Sequence, residues 1–445
     1  MPSPKPEPVP VRETFAGRFG LLMTMIGVAV GLGAVWRFPY MVGRFGGAAF
    51  VLFYMVIMLF IGIPALSAEW ALGRATRRGA LGAYGRGGLP GGKPVGGFLF
   101  GVVFFATGYY SNAVGWVGFH ALGELARAGG LPFNAGAILP PDRGFSPVSF
   151  GLQIIMTALV MGACGLVLTR GLRRGIERVS RLIVPALYVI LFILIARSLT
   201  LPGAGAGLRW FLGAFRFAAL TPPVMAAALG MAFFSLSLGG TFMVIYGSYM
   251  GEDVPIPRNA LYTGVGALLA GLLAGLAIFP AVFALGMSPD SGPGLIFDTL
   301  PATFARMPLG GLFGFLFFAG LFGAAFLSDV AAFEVLVGGL VDNTCLRRPR
   351  AVAVVLGLVF LLAIPPMLNN RIFIPWDLAF GSGLQALGGL LAVVTAGWCL
   401  SRAALLSQLS GKRPRPLIRI LIWWLRIAVP AAIILVGGRW LFSVL

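Results

Sequence analysis

Histidine occurs once in this chain of 445 residues, at position 120, and cysteine only at positions 164, 345 and 399. The cysteines show neither a paired nor a metal-ligand spacing, which argues against a disulfide framework and a zinc site. A single histidine gives no basis for histidine catalysis, and His120 reads as a helix residue with a local hydrogen bond. Charge is also scarce: aspartate and glutamate total 14, and charged residues make up 11% of the chain. No G-x-x-x-x-G-K-[ST] run is present to cradle a nucleotide phosphate, and no hydrolase or transferase constellation appears. The chain therefore reads as a non-enzyme without an organic cofactor. Residues 1–10 are proline-rich and lack an apolar run, so they read as a short disordered tail rather than a signal peptide.

What is present is apolar: 58% of residues are hydrophobic and the mean hydropathy is +0.94. So few polar side chains cannot clothe a soluble globule of this size, which puts the chain in a lipid bilayer. Stretches of the length that crosses ~30 Å of hydrocarbon begin near Leu21, Ala48, Gly96, Phe150, Leu182, Met225, Ala260, Leu309, Ala351, Gly381 and Leu417, predicting eleven spans. The net charge of +19 could point to nucleic acid, but its placement excludes that partner. Arg12 and Arg18, then Arg74, Arg77, Arg78, Arg86 and Lys93, then Arg170, Arg173, Arg174, Arg178 and Arg181 fall at alternate connections. Arg347, Arg348 and Arg350, then Lys412, Arg413, Arg415 and Arg419, continue the series. Positive loops mark the cytoplasmic side, so a plasma (inner) membrane protein with a cytoplasmic N-terminus is expected.

Two spans are interrupted. Gly27, Gly31 and Gly33 let the backbone leave the helix inside the first, and Ser235, Ser237, Gly239 and Gly240 do so inside the sixth. Backbone groups freed within the membrane need partners, which a polar substrate or ion supplies, and matching breaks five spans apart suggest two inverted repeats. The expected organisation is a cytoplasmic tail over 1–18, a five-helix repeat over 19–200, a second over 201–410, and an added helix over 411–445.

The run RETFAGRFGLLMTMIGVAVGLGAVWRFPY (12–40) resembles the first helix of the neurotransmitter:sodium symporter family. GGAAF, GIPALSAEWALGR, GYYSNAVGW, RGIERVSRLIVP, FFSLSLG, AGLAIFPAVFALG, EVLVGGLVD and LGGLL follow in order, covering nearly the whole chain. The resemblance implies an all-α integral membrane protein with the leucine-transporter fold: a 5+5 inverted repeat, discontinuous helices 1 and 6, and eleven transmembrane helices. It implies secondary active transport of amino acids by alternating access. The substrate site would begin with the unwound backbone at Val28, Ala29, Gly31, Leu32 and Gly33, whose N–H groups suit a carboxylate. Gly31 stands where amine-transporting relatives place aspartate, implying a substrate that brings its own carboxylate. Tyr110 would donate to that carboxylate and Phe234 would close over the substrate. Ser235, Ser237, Ser328 and Asp329 would border the pocket, while Ala106, Gly240 and Ala332 leave room for a bulky apolar or aromatic side chain. Arg37 with Asp377 match the family's outer gate, and Arg12, Phe15 and Asp342 its inner gate. Glu69 matches the carboxylate that holds the unwound part of span six, and Glu334 is a second family carboxylate in span eight. Gly175 and Pro185 match a spacing at which span five can unwind.

The pattern fails at the cation sites. Ala34 and the stretch Gly266 and Ala267 stand where the family's first sodium site has side-chain oxygens, so this site is expected to be lost. The second would use Gly27, Val30, Ala324 and Ser328, but its threonine position is Leu327. Asp329 could keep sodium binding alive, carry a proton, meet a cationic group of the substrate, or merely hydrogen-bond a neighbouring helix. Coupling to Na+ through one site at most, or to H+, is therefore expected, with a monomer or homodimer in the bilayer. Two alternatives stay open: a proton-coupled or uncoupled carrier of a cationic amino acid or amine, and a substrate sensor on the same fold.

Overall fold

The computed structural model describes residues 12–213, 215, 217–290, 295–410 and 416–435. The proline-rich tail, Arg216 and the basic residues Lys412, Arg413 and Arg415 lie outside the described residues. Helices make up nearly everything described, and no strand occurs among these residues. Only helices can pair all their backbone groups within one segment in hydrocarbon, so an apolar chain of this length takes this form.

The first two helices, α1 (Arg18–Ala29) and α2 (Gly33–Phe45), form one apolar span bent by 52° at its break. Gly46 and Gly47, with φ of 95° and 66°, turn the chain into α3 (Ala48–Thr76), a left-handed turn that glycine adopts without a Cβ penalty. Then follow α4 (Gly92–Ala128), α5 (Pro147–Thr169) and α6 (Leu172–Leu199). The sixth expected span is two short helices, α7 (Pro222–Ser235) and α8 (Phe242–Ser248). The chain continues through α9 (Ile256–Ala284), α10 (Gly310–Asn343), α11 (Arg348–Leu368), α12 (Asn370–Cys399) and α13 (Pro416–Leu435).

Nine of these helices are individually long and apolar enough to cross a membrane, and the bent α1–α2 pair raises the number to ten. Every apolar stretch read from the sequence coincides with a helix or helix pair. An eleventh crossing requires that α7 and α8 together act as one broken span.

The long helices α4 and α10 pack along each other at the centre, and α1 is wedged among α6, α9 and α10. The second broken pair rests on α3, with α7 against its first half and α8 across its second. Trp70, Tyr54, Tyr84, Tyr246 and Phe38 fill the interior, while side chains such as Leu182, 73% exposed, cover the outside with apolar surface suited to lipid. Inside this apolar interior Glu69, Asp329 and Glu334 are almost wholly buried. Carboxyl groups at such depth are costly and mark functional positions.

The α3–α8 crossing is close enough to require glycine. A Cβ on Gly247 would lie 2.7 Å from the Trp70 Cα and carbonyl oxygen. We predict that Gly247→Val costs about 1–3 kcal/mol of stability by forcing the helices apart, read as a lower melting temperature in detergent. Gly162→Ala on α5, where a Cβ meets nothing within 4 Å, should be neutral or stabilise by up to about 1 kcal/mol. The opposite order would contradict this packing.

Candidate functional site

The first break is a short one. Val30 leaves the helix with φ −93° and ψ 80°, and its N–H still reaches the Ile26 carbonyl at 2.6 Å. Beyond it the carbonyl of Val28 accepts hydrogen bonds from Ser237 Oγ at 2.7 Å and Ser328 Oγ at 3.4 Å. The Leu32 N–H donates to Tyr110 Oη at 3.4 Å. Tyr110 Oη also hydrogen-bonds the Ser328 side chain. The Gly31 N–H has no hydrogen-bond partner among the described residues. A Cβ at Gly31 would run into Ser328 Oγ and sit 3.0 Å from Tyr110 Oη, so a side chain there would collide with both.

The second break faces the first. Between Ser235 and Phe242 the backbone takes left-handed conformations at Ser237 (φ 51°), Gly239 (φ 86°) and Thr241 (φ 59°). A non-glycine residue in that region costs of order 1–3 kcal/mol and persists only where its surroundings enforce it. Here Glu69 Oε1 accepts the Gly239 N–H at 2.8 Å, the contact expected of this carboxylate.

Between the breaks lies a cavity of about 50 Å³. Ala29, Gly31, Leu32 and Gly33 line it from the first break, with Ala106 and Tyr110 from α4, Phe234 and Ser237 from the second, and Ser328 and Ala332 from α10. Four expected members do not line it. Val28 contributes its bridged carbonyl, and Ser235 Oγ accepts from Tyr54 Oη at 3.0 Å in the buried core. The room expected at Gly240 is filled by the ring of Phe242, which a Cβ there would strike. Asp329 points away: both its oxygens lie 3.0 Å from Ser111 Oγ, with Cys164 Sγ at 3.8 Å. Successive helical residues diverge by about 100°, so the residue after pocket-lining Ser328 faces α4 and α5 instead.

Thr107, Tyr109, Phe242 and Gln385 line the cavity without having been singled out from sequence. Gln385 carried the one legible signal, an amide within the apolar run of span ten.

On one side of the cavity a charged network joins several elements. Arg12 forms an ion pair with Asp342, donates to Ser248 Oγ at 2.6 Å and the Arg77 carbonyl at 2.9 Å, and stacks over Tyr249 at 5.1 Å. Phe15 packs against the core beside them. Tyr249 Oη also donates to Glu334 Oε1 at 2.6 Å, and Glu334 pairs with Arg348, which reaches the Leu168 carbonyl. On the other side Arg37 stacks over Phe234 at 4.5 Å, while the Tyr109 hydroxyl hydrogen-bonds Asp377. No direct ion pair joins Arg37 to Asp377 among the described residues, so the two meet this aromatic layer separately.

The cation positions are poor in oxygen. Ala34 is fully buried and offers only a methyl group, and the Gly266 carbonyl accepts from Tyr188 Oη at 2.7 Å. At the second position Leu327 Cδ1 lies 2.7 Å from where a Gly27 Cβ would stand, so an apolar side chain covers that backbone. Among the described residues no group of three or more His, Cys, Asp or Glu could hold a metal.

The model of the sodium:neurotransmitter symporter family matches residues 12–133 and 147–395. An uncharacterized sodium-dependent transporter of Bacillus subtilis is 33% identical over 95% of this chain and 96% of its own length. One from Haemophilus influenzae is 30% identical over 96% and 97%. Among solved structures, MhsT in complex with L-phenylalanine superposes with a TM-score of 0.82 at 34% identity, covering 96% of this chain and 99% of that one.

The closed inner network yields a prediction. In a background lacking Cys345 and Cys399, Ala106→Cys should react several-fold faster with a thiol reagent applied from the face that carries Arg12 when Arg12→Ala is added. An unchanged rate would show that the Arg12 contacts do not close the pathway.

Proposed function

The chain belongs to the sodium:neurotransmitter symporter family, and from that premise we propose that it moves neutral amino acids with bulky apolar or aromatic side chains by alternating access. It is a membrane transporter and not an enzyme. The observation that carries the substrate class is Gly31: an open backbone N–H beside the Tyr110 and Ser328 hydroxyls, in a cavity without an acidic side chain. Such a site neutralises an anion with helix-end donors, and an amino acid supplies that anion as its carboxylate. The L-phenylalanine bound in MhsT fits this reading.

The transporter would cycle between the Arg12–Asp342 closure and an outer closure by Arg37, Asp377 and Phe234. An ion pair near water contributes little net stability, which suits contacts that must break each cycle. The repeats over 19–200 and 201–410, the cytoplasmic tail over 1–18, and a helix within 411–445 making an eleventh span belong to the same proposal. So do the plasma-membrane location, the cytoplasmic N-terminus and a monomeric or homodimeric state.

For coupling, the reading is one sodium at most, at Gly27, Val30, Ala324 and Ser328, with a proton as the alternative. The first site has lost the Ala34 side-chain oxygen, and the Leu327 side chain weakens the second. A cationic substrate fits less well, because Asp329 faces Ser111 and not the cavity. A sensor fits less well than a transporter, because it has no need of closures on both sides.

The test is uptake of a labelled amino-acid panel into proteoliposomes, with sodium, potassium and pH gradients applied separately. We expect uptake of aromatic and large apolar amino acids under a sodium or a pH gradient; no uptake under any gradient would favour the sensor. Asp329→Asn should abolish uptake or remove its cation dependence. Unchanged uptake with unchanged coupling would exclude a charged role for that residue.

A further inference from the structure

The cavity has two chemically distinct ends. Near its first end are the open N–H of Gly31, the Tyr110 hydroxyl and Ser328 Oγ. One helical turn away, about 5.4 Å along α4 and α10, lie Ala106 and Ala332, whose small side chains leave space between the helices. That distance is the reach of an aromatic ring from a bound carboxylate, and it would end in an apolar bottom if only these alanines were present.

It does not end there. Gln385 from α12 lines the same cavity, and the backbone fixes its level. Four residues before it on α12, a Cβ on Gly381 would strike the Tyr109 hydroxyl. Three residues after it, a Cβ on Gly388 would lie 3.0 Å from Leu99 Cδ2. Gln385 therefore sits beside the part of α4 between Leu99 and Tyr109, which is the level of Ala106. Its own carbonyl presses on Gly239 in the second break, so this stretch of α12 is held against the site by backbone contact.

The side-chain amide of Gln385 has no hydrogen-bond partner among the described residues, although an amide offers two donors and an acceptor. Thr107, which also lines the cavity, donates its hydroxyl proton to the Val103 carbonyl at 2.7 Å and keeps its lone pairs for an incoming donor. A polar group left unmet in an apolar pocket costs free energy each time an apolar ligand fills the space around it. The same group rewards a ligand that brings a hydrogen-bonding atom to that spot.

We propose that Gln385 is a specificity-determining residue: it hydrogen-bonds a polar atom at the tip of the substrate side chain, selecting aromatic amino acids with a hydroxyl or ring N–H over purely hydrocarbon ones. This rests on the amino-acid reading of the cavity and narrows it from bulky apolar or aromatic side chains to polar-tipped aromatic ones. Phe242 supplies the adjustable wall, since its ring occupies the space beside Gly240.

The experiment is equilibrium binding to the purified full-length protein, comparing L-tyrosine with 4-methyl-L-phenylalanine, which match in shape and differ in the tip group. Wild-type protein should bind tyrosine about tenfold more tightly, the scale of one unmet buried hydrogen bond. Gln385→Met, similar in length and without donors, should bring the ratio to about one while binding of 4-methylphenylalanine is kept or improved. Thr107→Val serves as a second reader of the same end and should reduce the ratio partway. Equal affinities in the wild type, or a ratio that Gln385→Met leaves intact, would overturn the role of Gln385 and leave the amino-acid reading standing. Binding of neither ligand, nor of any amino acid in a panel, would overturn both.

Discussion

The carbonyl of Val28 lies at a point where a membrane-buried helix has stopped, and an unpaired carbonyl in such surroundings costs several kcal/mol. Two hydroxyls meet it, one from Ser237 in the second break and one from Ser328 on α10. Each break is therefore held by residues outside its own helix. Ser237 reaches Val28 from a left-handed conformation, and the segment that carries it is tied to α3 through Glu69 and the Gly239 N–H. Loss of one tie would loosen the others, so the cavity between the breaks is a consequence of this mutual support. It also explains why the Gly31 N–H stays unpaired among the described residues: the Ser237 and Ser328 hydroxyls are committed to the Val28 carbonyl.

The two sides of the cavity are closed by different kinds of contact. On one side, Arg12 alone engages a carboxylate, a hydroxyl, a carbonyl and an aromatic face, and Tyr249 links it to the Glu334–Arg348 pair. These contacts join the start of the chain to α3, α8, α10 and α11, so opening must move several helices at once. On the other side, Arg37 leans on Phe234 and Asp377 on Tyr109. Fewer groups are committed there, so the side held by Arg12 is the more tightly tied of the two.

Much of this was legible in the sequence because its signals are backbone signals. Glycine and serine inside apolar spans mark where helices stop, and Gly31 marks a place where a Cβ would meet Ser328 and Tyr110. Of the two charge pairs read from the sequence, Arg12 and Asp342 form an ion pair, whereas Arg37 and Asp377 form none among the described residues. What the sequence did not disclose is which way a side chain turns once the helix is broken. The space at Gly240 looked empty, yet Thr241 adopts a left-handed conformation that brings the ring of Phe242 back over it. Asp329 follows a cavity residue in sequence and faces another helix in space. Gln385 and Thr107 became cavity residues only because α12 and α4 pack at a particular level, a tertiary fact that no local pattern encodes.

Asp329 shows how a charge can matter without touching the ligand. Leu327 lies against Gly27 and Ser328 against Gly31, and Leu327 makes this face of α10 apolar at Gly27. The carboxyl of Asp329 is turned off this face and cannot take the place of the oxygen that Leu327 lacks. It is bonded instead to Ser111, the residue after Tyr110 on α4. Tyr110 and Ser328 both contact the first break, one at the Leu32 N–H and the other at the Val28 carbonyl. The Asp329–Ser111 contact thus joins the two helices that carry these hydroxyls, one residue away from each. Removing that carboxyl would therefore remove a tie between α4 and α10 beside the two hydroxyls that meet the break.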